Sequence, residues 1–501
     1  MNNKVELVGD KYKEICDYCD SVLLHQDSTK HTVAINWLHV PREHPSYLKE
    51  YACLTASNNH NLYEKIKKNI VEDIFPMISS AYGLFKSVSL VVRNQYITKP
   101  TIDRCDILFV SHLVNVDHLE DEDDFYFGDL PNSMKEFNLS SITAMINHLD
   151  KYDIDKVEKH IGNITSKVVL SKTLGLFKEL SIFYGQLLEY KRLRKCMHNS
   201  RGLLKVVYGK ACQESISPRT LTTIRIAVQI KKLIRHTSPR AVITTCEGHA
   251  WERLVYFVAR EVNPNIKCFA YQHVAVFPLQ HSMKRRLLDL YNPSHIFTSG
   301  KVSKRQLDGS KGLDGIPISV LGSKRHLKKK TKQNINNINT CLVITDGFIE
   351  ECQILFDFSY ECALKMPEKV FIWRVHPTLN IRKIINNIGF KELPKNIVLS
   401  SCSLDNDISA SSHVLYRGST VVIQSIIGGL NPFYLRIKGE LTIDPLYELN
   451  YGRTIINSVN EFICLFDAVI DSGEMNEMVE YCKEFYTPLN GSVLRDMVIN
   501  L

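Results

Sequence analysis

In the last third of the chain, short apolar runs alternate with longer segments that are apolar only at every third or fourth position. CLVITD (341–346), KVFIWRVH (369–376), NIVLS (396–400), HVLYRG (413–418) and PFYLRI (432–437) read as strands. Residues 350–366, about 379–388 and 419–429 read as helices between them, and segments near 459–471 and 474–486 as closing helices. Strands that are apolar throughout, rather than at alternate positions, belong to parallel sheets covered on both faces. The alternation of strand and helix points the same way.

Upstream the pattern is less even. TVAINWLHV (32–40), SVSLVV (87–92), CDILFVSH (105–112), HIFTSG (295–300) and PISVLG (317–322) are strand candidates, and residues 241–273 form a strand–helix–strand unit. Residues about 139–236 carry mostly helical periodicity and are expected to be a helical insertion in the first domain. The acidic run Glu120, Asp121, Glu122, Asp123 and Asp124 is expected to be a solvated loop. The stretch 324–340 is polar, basic and poor in apolar residues, the character of an inter-domain linker. The expected fold class is therefore α/β, with an N-terminal domain over 1–323 and a C-terminal domain over 341–501.

Bulk properties narrow the partners. A chain of 501 residues exceeds one ordinary core. With 44% hydrophobic and 23% charged residues it is globular rather than disordered. The formal charge of +8 suits an anionic ligand, a membrane surface or nucleic acid without choosing among them. Fourteen cysteines are scattered without a paired framework, which suits reduced thiols in the cytoplasm. Cys16 and Cys19 form a C-x-x-C with no second ligand pair nearby, so no metal is expected. The first residues lack a signal-peptide core, and no apolar run approaches the ~20 residues that span a bilayer. The expected location is cytoplasmic, with peripheral contact on the inner face of the cytoplasmic membrane compatible with the charge. The basic runs 283–287 and 324–332 are either solvated surface or contacts to anionic lipid. They lack interleaved aromatics, which argues against nucleic acid.

Candidate chemistry collects at strand ends. Open α/β sheets bind ligands beyond the carboxyl ends of their strands. Strand 341–346 ends in Asp346-Gly347. Strand 369–376 ends in Arg374, His376 and Pro377. Strand 413–418 ends in Arg417-Gly418, after which Ser419 and Thr420 open a helix that carries Gln424. Free N–H groups at a helix N-terminus together with two hydroxyls suit a phosphate; the other reading is an ordinary helix cap. In the first half, Glu247 ends a strand ahead of His249, Trp251 and Glu252, and Gln272 and His273 end the next strand. Glu247 is a candidate general base, and Asp346 competes for that role.

The order R-x-H-P (374–377), a strand, then G-S-T-x-x-x-Q-S-x-x-x-G-x-x-P (418–432) resembles the C-terminal half of GT-B-type glycosyltransferases of bacterial surface polysaccharides. It is similar to polysialyltransferases, to capsule Kdo transferases and, more distantly, to CDP-glycerol glycerophosphotransferases. The resemblance covers about the last 160 residues. It implies that His376 and Pro377, with Ser419 and Thr420, hold the phosphate of a cytidine nucleotide. Gln424 stands where GT-B enzymes often carry Glu. The segment 246–273 resembles a strand–helix–strand segment of surface-carbohydrate biosynthesis proteins.

These resemblances imply two Rossmann-like domains facing a cleft. The first would bind a glycan acceptor through His249, Trp251, Gln272 and His273 and supply the base. The second would bind a nucleotide sugar through Gly347, Arg374, His376, Pro377, Arg417, Gly418, Ser419, Thr420 and Gln424. Glu247, His376 and Asp346 are the catalytic candidates. The implied reaction is inverting transfer of sialic acid, Kdo or a related acidic sugar from a CMP-linked donor to a surface glycan such as capsule or lipopolysaccharide. No metal or other cofactor is implied. A CDP-glycerol-type transferase, a UDP-sugar transferase of the same fold and a non-catalytic assembly scaffold are the alternatives.

Overall fold

A computed structural model describes residues 2–40, 43–51, 78, 81–85, 103–149, 166–325, 339–377, 379–390, 392–468 and 470–499. Among these residues the strands are β1 (Ile107–Leu113), β2 (Ser141–Asn147), β3 (Lys167–Val169), β4 (Ala241–Thr245), β5 (Lys267–Gln272), β6 (His295–Thr298) and β7 (Ile318–Val320), then β8 (Thr340–Ile344), β9 (Val370–Arg374), β10 (Ile397–Leu399), β11 (His413–Tyr416), β12 (Asn431–Leu435) and β13 (Thr454–Ile456). They form two wholly parallel sheets, ordered β3-β2-β1-β4-β5-β6-β7 and β10-β9-β8-β11-β12-β13. Both have the doubly wound Rossmann order, which reverses direction between β1 and β4 and again between β8 and β11. The architecture is the expected α/β pair of Rossmann-like domains.

Apart from the edge strands β7 and β10, each sheet is buried on both faces, as its apolar strands require. In the first, Leu108, Val110, Val242 and Cys268 face a core shared with the helices Asn2–Leu23, Pro218–Thr237 and Ala250–Val262. The alternate residues Ile107, Phe109, Ile243 and Phe269 pack on Leu494 and Val498. In the second, Leu342, Ile344 and Val414 face one core, and Cys341, Val343 and Leu415 the other. Side chains on successive strand residues point to opposite faces, and each sheet divides its apolar set accordingly.

Several expectations change. Leu494 and Val498 belong to the final helix, Gly491–Ile499, which packs on the first sheet although it follows the second. The return is sewn down by backbone bonds from Thr487 N–H to Ser299 O, Ser323 N–H to Thr487 O, and Asn490 N–H to Leu321 O. Residues 32–40 are not a strand: Lys30–Val33 is helical and Asn36–His39 is a 3-10 turn, with Thr29 capping the helix through its hydroxyl. The stretch 139–236 is helical only from Leu176 onward among its described residues; β2 and β3 precede the helices. Lys167 disguises β3 as polar, but its ammonium is satisfied by the carbonyls of His118 (3.0 Å) and Asp121 (2.5 Å). The acidic run is not wholly solvated. Asp124 is buried and accepts the Ser111 hydroxyl and the N–H groups of Tyr126 and Phe127, each at 2.9 Å. The strand expected at 87–92 and most of the linker, 326–338, lie outside the described residues.

Candidate functional site

The two reversals of strand order each open a crevice at the carboxyl edge of a sheet, and the polar strand-end residues collect there. In the first sheet the register Thr245↔Tyr271, carried two residues on, places Glu247 level with His273. The side chains meet: Glu247 lies 3.5 Å from the His273 ring nitrogen and 3.7 Å from that of His249. Glu252, one turn into the next helix, accepts the backbone N–H groups of Glu247 (2.8 Å), Gly248 (2.8 Å) and His249 (3.0 Å). This buried carboxylate thereby fixes the loop that carries Glu247; burial pushes its pKa up to about 7. Gly248 has φ +87°, and a Cβ there would sit 1.9 Å from the Ser282 hydroxyl, so only glycine fits.

Aromatic rings wall this crevice. His112, on β1, meets Trp251 and Tyr126 edge-on, each at 5.2 Å, and Tyr126 meets His273 at 5.1 Å. His112 is hydrogen-bonded to His148 at 2.9 Å and to Thr245 at 3.4 Å. Burial, then the neighbouring His148, lowers the His112 pKa to about 3, so its ring is neutral near pH 7. Gln272 is fully buried, and neither end of its amide has a hydrogen-bond partner among the described residues. The first crevice is thus a carboxylate set among rings and one unsatisfied amide.

The second crevice is charged. The registers Ile344↔Arg374 and Leu415↔Val343, carried beyond the paired ends, bring Asp346, His376 and Gly418 level on three adjacent strands. A Cβ on Gly418 would stand 3.0 Å from the Asp346 carboxylate. Asp346 accepts the Phe348 N–H at 2.9 Å and holds the His44 ring at 2.9 Å. Arg417, fully buried, donates to Glu351 and Glu440, each at 2.6 Å. Its Nη1 has no partner among the described residues. Burial raises the Glu351 pKa, and Arg417 opposes the rise.

Not every sequence candidate faces a ligand. Arg374 is committed to Asp407 (2.6 Å), Ser400 (3.1 Å) and the Cys402 carbonyl (2.9 Å). Ser419 is buried, and Thr420 sits at the N-cap of Val421–Ile427 without a side-chain capping bond. Gln424 lies one turn into that helix and is half-buried, as is His376; Pro377 is exposed. Gly347 directly follows Asp346. The basic run 283–287 is divided: Lys284 donates to the Phe277 and Pro278 carbonyls and buried Arg285 pairs with Asp20, whereas Arg286 is exposed.

Sequence reasoning missed His44, His112 and His148. His112 ends a strand that the pattern does predict. His44 belongs to Arg42-Glu43-His44-Pro45, a second R-x-H-P in the chain. Its segment touches both crevices. Asn36 accepts the Ala250 N–H beside the Glu247 loop, and His44 reaches Asp346 eight residues later. Eight residues span at most ~28 Å, so these two contact points lie within that distance of each other. His44, Asp346 and Glu351 also bring one ring nitrogen and two carboxylate oxygens within 4.8 Å of one another, a set that could hold a divalent cation. Arg417 already supplies positive charge to Glu351 there.

No family model matches the chain, and no curated protein matches it. Solved structures of similar fold include S. aureus MnaA with UDP, at 11% identity and TM-score 0.46, covering 79% of this chain and 95% of that one. UDP-GlcNAc 2-epimerase from Neisseria meningitidis bound to UDP-GlcNAc is 14% identical with TM-score 0.45, covering 79% and 100%. A calicheamicin glycosyltransferase is 10% identical with TM-score 0.44, covering 80% and 98%. No helix among the described residues is long and apolar enough to cross a membrane.

Proposed function

We propose that the protein is an inverting glycosyltransferase that takes an acidic sugar from a CMP-linked donor and transfers it to a hydroxyl of a surface glycan. The observation that carries this reading is the pairing of two unlike crevices. One holds a carboxylate, Glu247, among aromatic rings; the other brings His376 and Gly418 level with Asp346 at the carboxyl edge of the second sheet, with Arg417 and Ser419 flanking Gly418 in the chain.

In this reading the acceptor hydroxyl oxygen attacks the anomeric carbon from the first crevice. The bond from that carbon to the phosphate oxygen breaks, and CMP leaves with the electron pair. Glu247 takes the hydroxyl proton as the new bond forms. A single displacement inverts the anomeric centre. Donors aimed at the departing phosphate lower the barrier without reorganising, and this reading assigns that role to His376, Ser419 and Arg417. The cytidine base rests on the resemblance of R-x-H-P and G-S-T to CMP-sugar enzymes.

Thermal shift with CMP, CDP, UMP, UDP and GDP, followed by transfer assays with matching donors, tests it. CMP should stabilise the protein most, since ligand at ~100 times its Kd adds about 2.7 kcal/mol. Glu247→Gln should cut transfer ~10²-fold or more and keep CMP binding. His376→Ala should lose both together. Tighter binding of a uridine nucleotide would reassign the donor, and a fully active Glu247→Gln would remove the base.

A further inference from the structure

The helix Leu176–Asn199 carries apolar residues on two faces. Its buried side sets Ile182 and Leu193 in the core among polar groups: Glu179 pairs with Arg225 at 2.7 Å, Gln186 donates to the Ser215 carbonyl at 2.8 Å, and Glu189 accepts the Thr32 hydroxyl at 2.5 Å. Its outer side is apolar. Phe177 is 86% exposed, Leu180 43%, Tyr184 63% and Leu188 49%. Spacings of three and four residues place these four on one helical face. A helix of this length normally shows water its charged side and buries its apolar one. Here Ile182, Leu193 and the hydrogen bonds hold the helix to the domain, and a second apolar stripe is left outward.

The charges on that helix are sorted as well. Both of its carboxylates, Glu179 and Glu189, are buried and paired. Lys178, Lys191, Arg194 and Lys195 are exposed. The outward surface therefore runs from an apolar end into a cationic end with no acid of its own to balance it. We propose that this face docks on an anionic membrane surface, with Phe177, Leu180, Tyr184 and Leu188 in the headgroup–acyl boundary and the cations on lipid phosphates. A second copy fits less well. Parallel stacking would set cations against cations, and antiparallel stacking would set cations against the apolar half.

The place of the helix gives the contact a use. It starts seven residues after Val169, the last residue of β3, so its apolar end lies toward the carboxyl edge of the first sheet. Glu247 ends a strand at that same edge. Resting on the function proposed above, a lipid-linked acceptor would then arrive on the side of the sheet that holds the base.

Sedimentation with phosphatidylglycerol/phosphatidylcholine vesicles tests the surface without any donor or acceptor, so it stands or falls separately from the transfer assay. The intact chain should pellet with anionic vesicles at low salt and be released as salt rises. It should pellet little with pure phosphatidylcholine. Phe177→Ser with Leu180→Ser, and separately Lys191→Glu with Lys195→Glu, should each weaken partition ~10-fold or more. All four side chains are exposed, so the melting temperature should hold; if the apolar pair unfolds, the charge pair still decides. Unchanged partition in the charge variant would overturn the proposal. So would a lipid-free dimer, seen by sedimentation velocity, that the apolar variant dissolves.

Discussion

Gly248→Ala puts the loop that carries Glu247 under a load that can be worked out from its neighbours. The added Cβ would lie 1.9 Å from the Ser282 hydroxyl and 2.5 Å from its Cβ, both impossible contacts, and 3.3 Å from its carbonyl carbon. Overpacking of that kind costs about 1–3 kcal/mol. The backbone stays at φ +87°, which an L-residue adopts only at a further cost of about 1–2 kcal/mol. The single variant should therefore lose about 2–5 kcal/mol. Ser282→Gly removes the two overlapping atoms and leaves only the 3.3 Å contact. The double variant should recover the packing share and keep the dihedral share, a coupling of about 1–3 kcal/mol between the sites. Urea unfolding followed by tryptophan fluorescence reads this directly, because Trp251 lies in the helix that the loop enters. On the function proposed above, with Glu247 as the base, transfer should fall ~10²-fold in the single variant, since a misplacement of about 1 Å costs that much. A Gly248→Ala protein as stable as its parent, or a double variant no more stable than the single one, would refute the account of this loop.

Arg374→Met should cost about 2–3 kcal/mol of unfolding free energy, because it strands the buried Asp407 carboxylate; a variant as stable as its parent would free Arg374 for a ligand. Glu252 holds its proton better folded (about 7) than at its ordinary 4.5, so it contributes stability that is full below pH 4.5 and gone above about pH 7. Glu252→Gln should therefore narrow the parent's loss of stability between pH 5.5 and 8 by about 2 kcal/mol, measured as the difference between their urea curves; parallel curves would contradict it. His44→Ala should lower stability by about 1–3 kcal/mol by unpairing Asp346, and in calorimetry it should move the transition of the second domain more than that of the first.

Where burial on both sheet faces dictates the residue types, the chain reads plainly. Each strand from β8 to β12 is built on an uninterrupted apolar run, and the ranges read from the sequence overrun the observed strand ends by one to two residues. Reading fails where local chemistry offsets the pattern. Val33, Ile35 and Leu38 look like a strand, but Thr29 caps a helical turn and the apolar residues are buried from a helix and a 3-10 turn instead. Lys167 masks an edge strand because backbone carbonyls, not water, take its charge. The helix Leu176–Asn199, which buries Glu179, Gln186 and Glu189 with Ile182 and Leu193 and leaves a second apolar stripe outward, blurs the usual sign of amphipathicity. The sites follow the same division. Glu247 and His273 are legible because they end adjacent strands of one predicted unit, whereas His44 comes from a turn more than three hundred residues away and nothing local announces its partner.

That distant contact bears on how the two crevices work together. The second sheet meets the first through the return segment bonded to Ser299 and Leu321, and also through His44 on Asp346. Asn36, in the same short segment, caps the helix behind Glu247. A shift of the second sheet that carried Asp346 away would therefore either break the His44 bond or pull on the segment that orders the Glu247 loop. On the reading proposed above, a ligand that settles Asp346, Gly418 and their neighbours also bears on His44, eight residues from the Asn36 that meets the Glu247 loop.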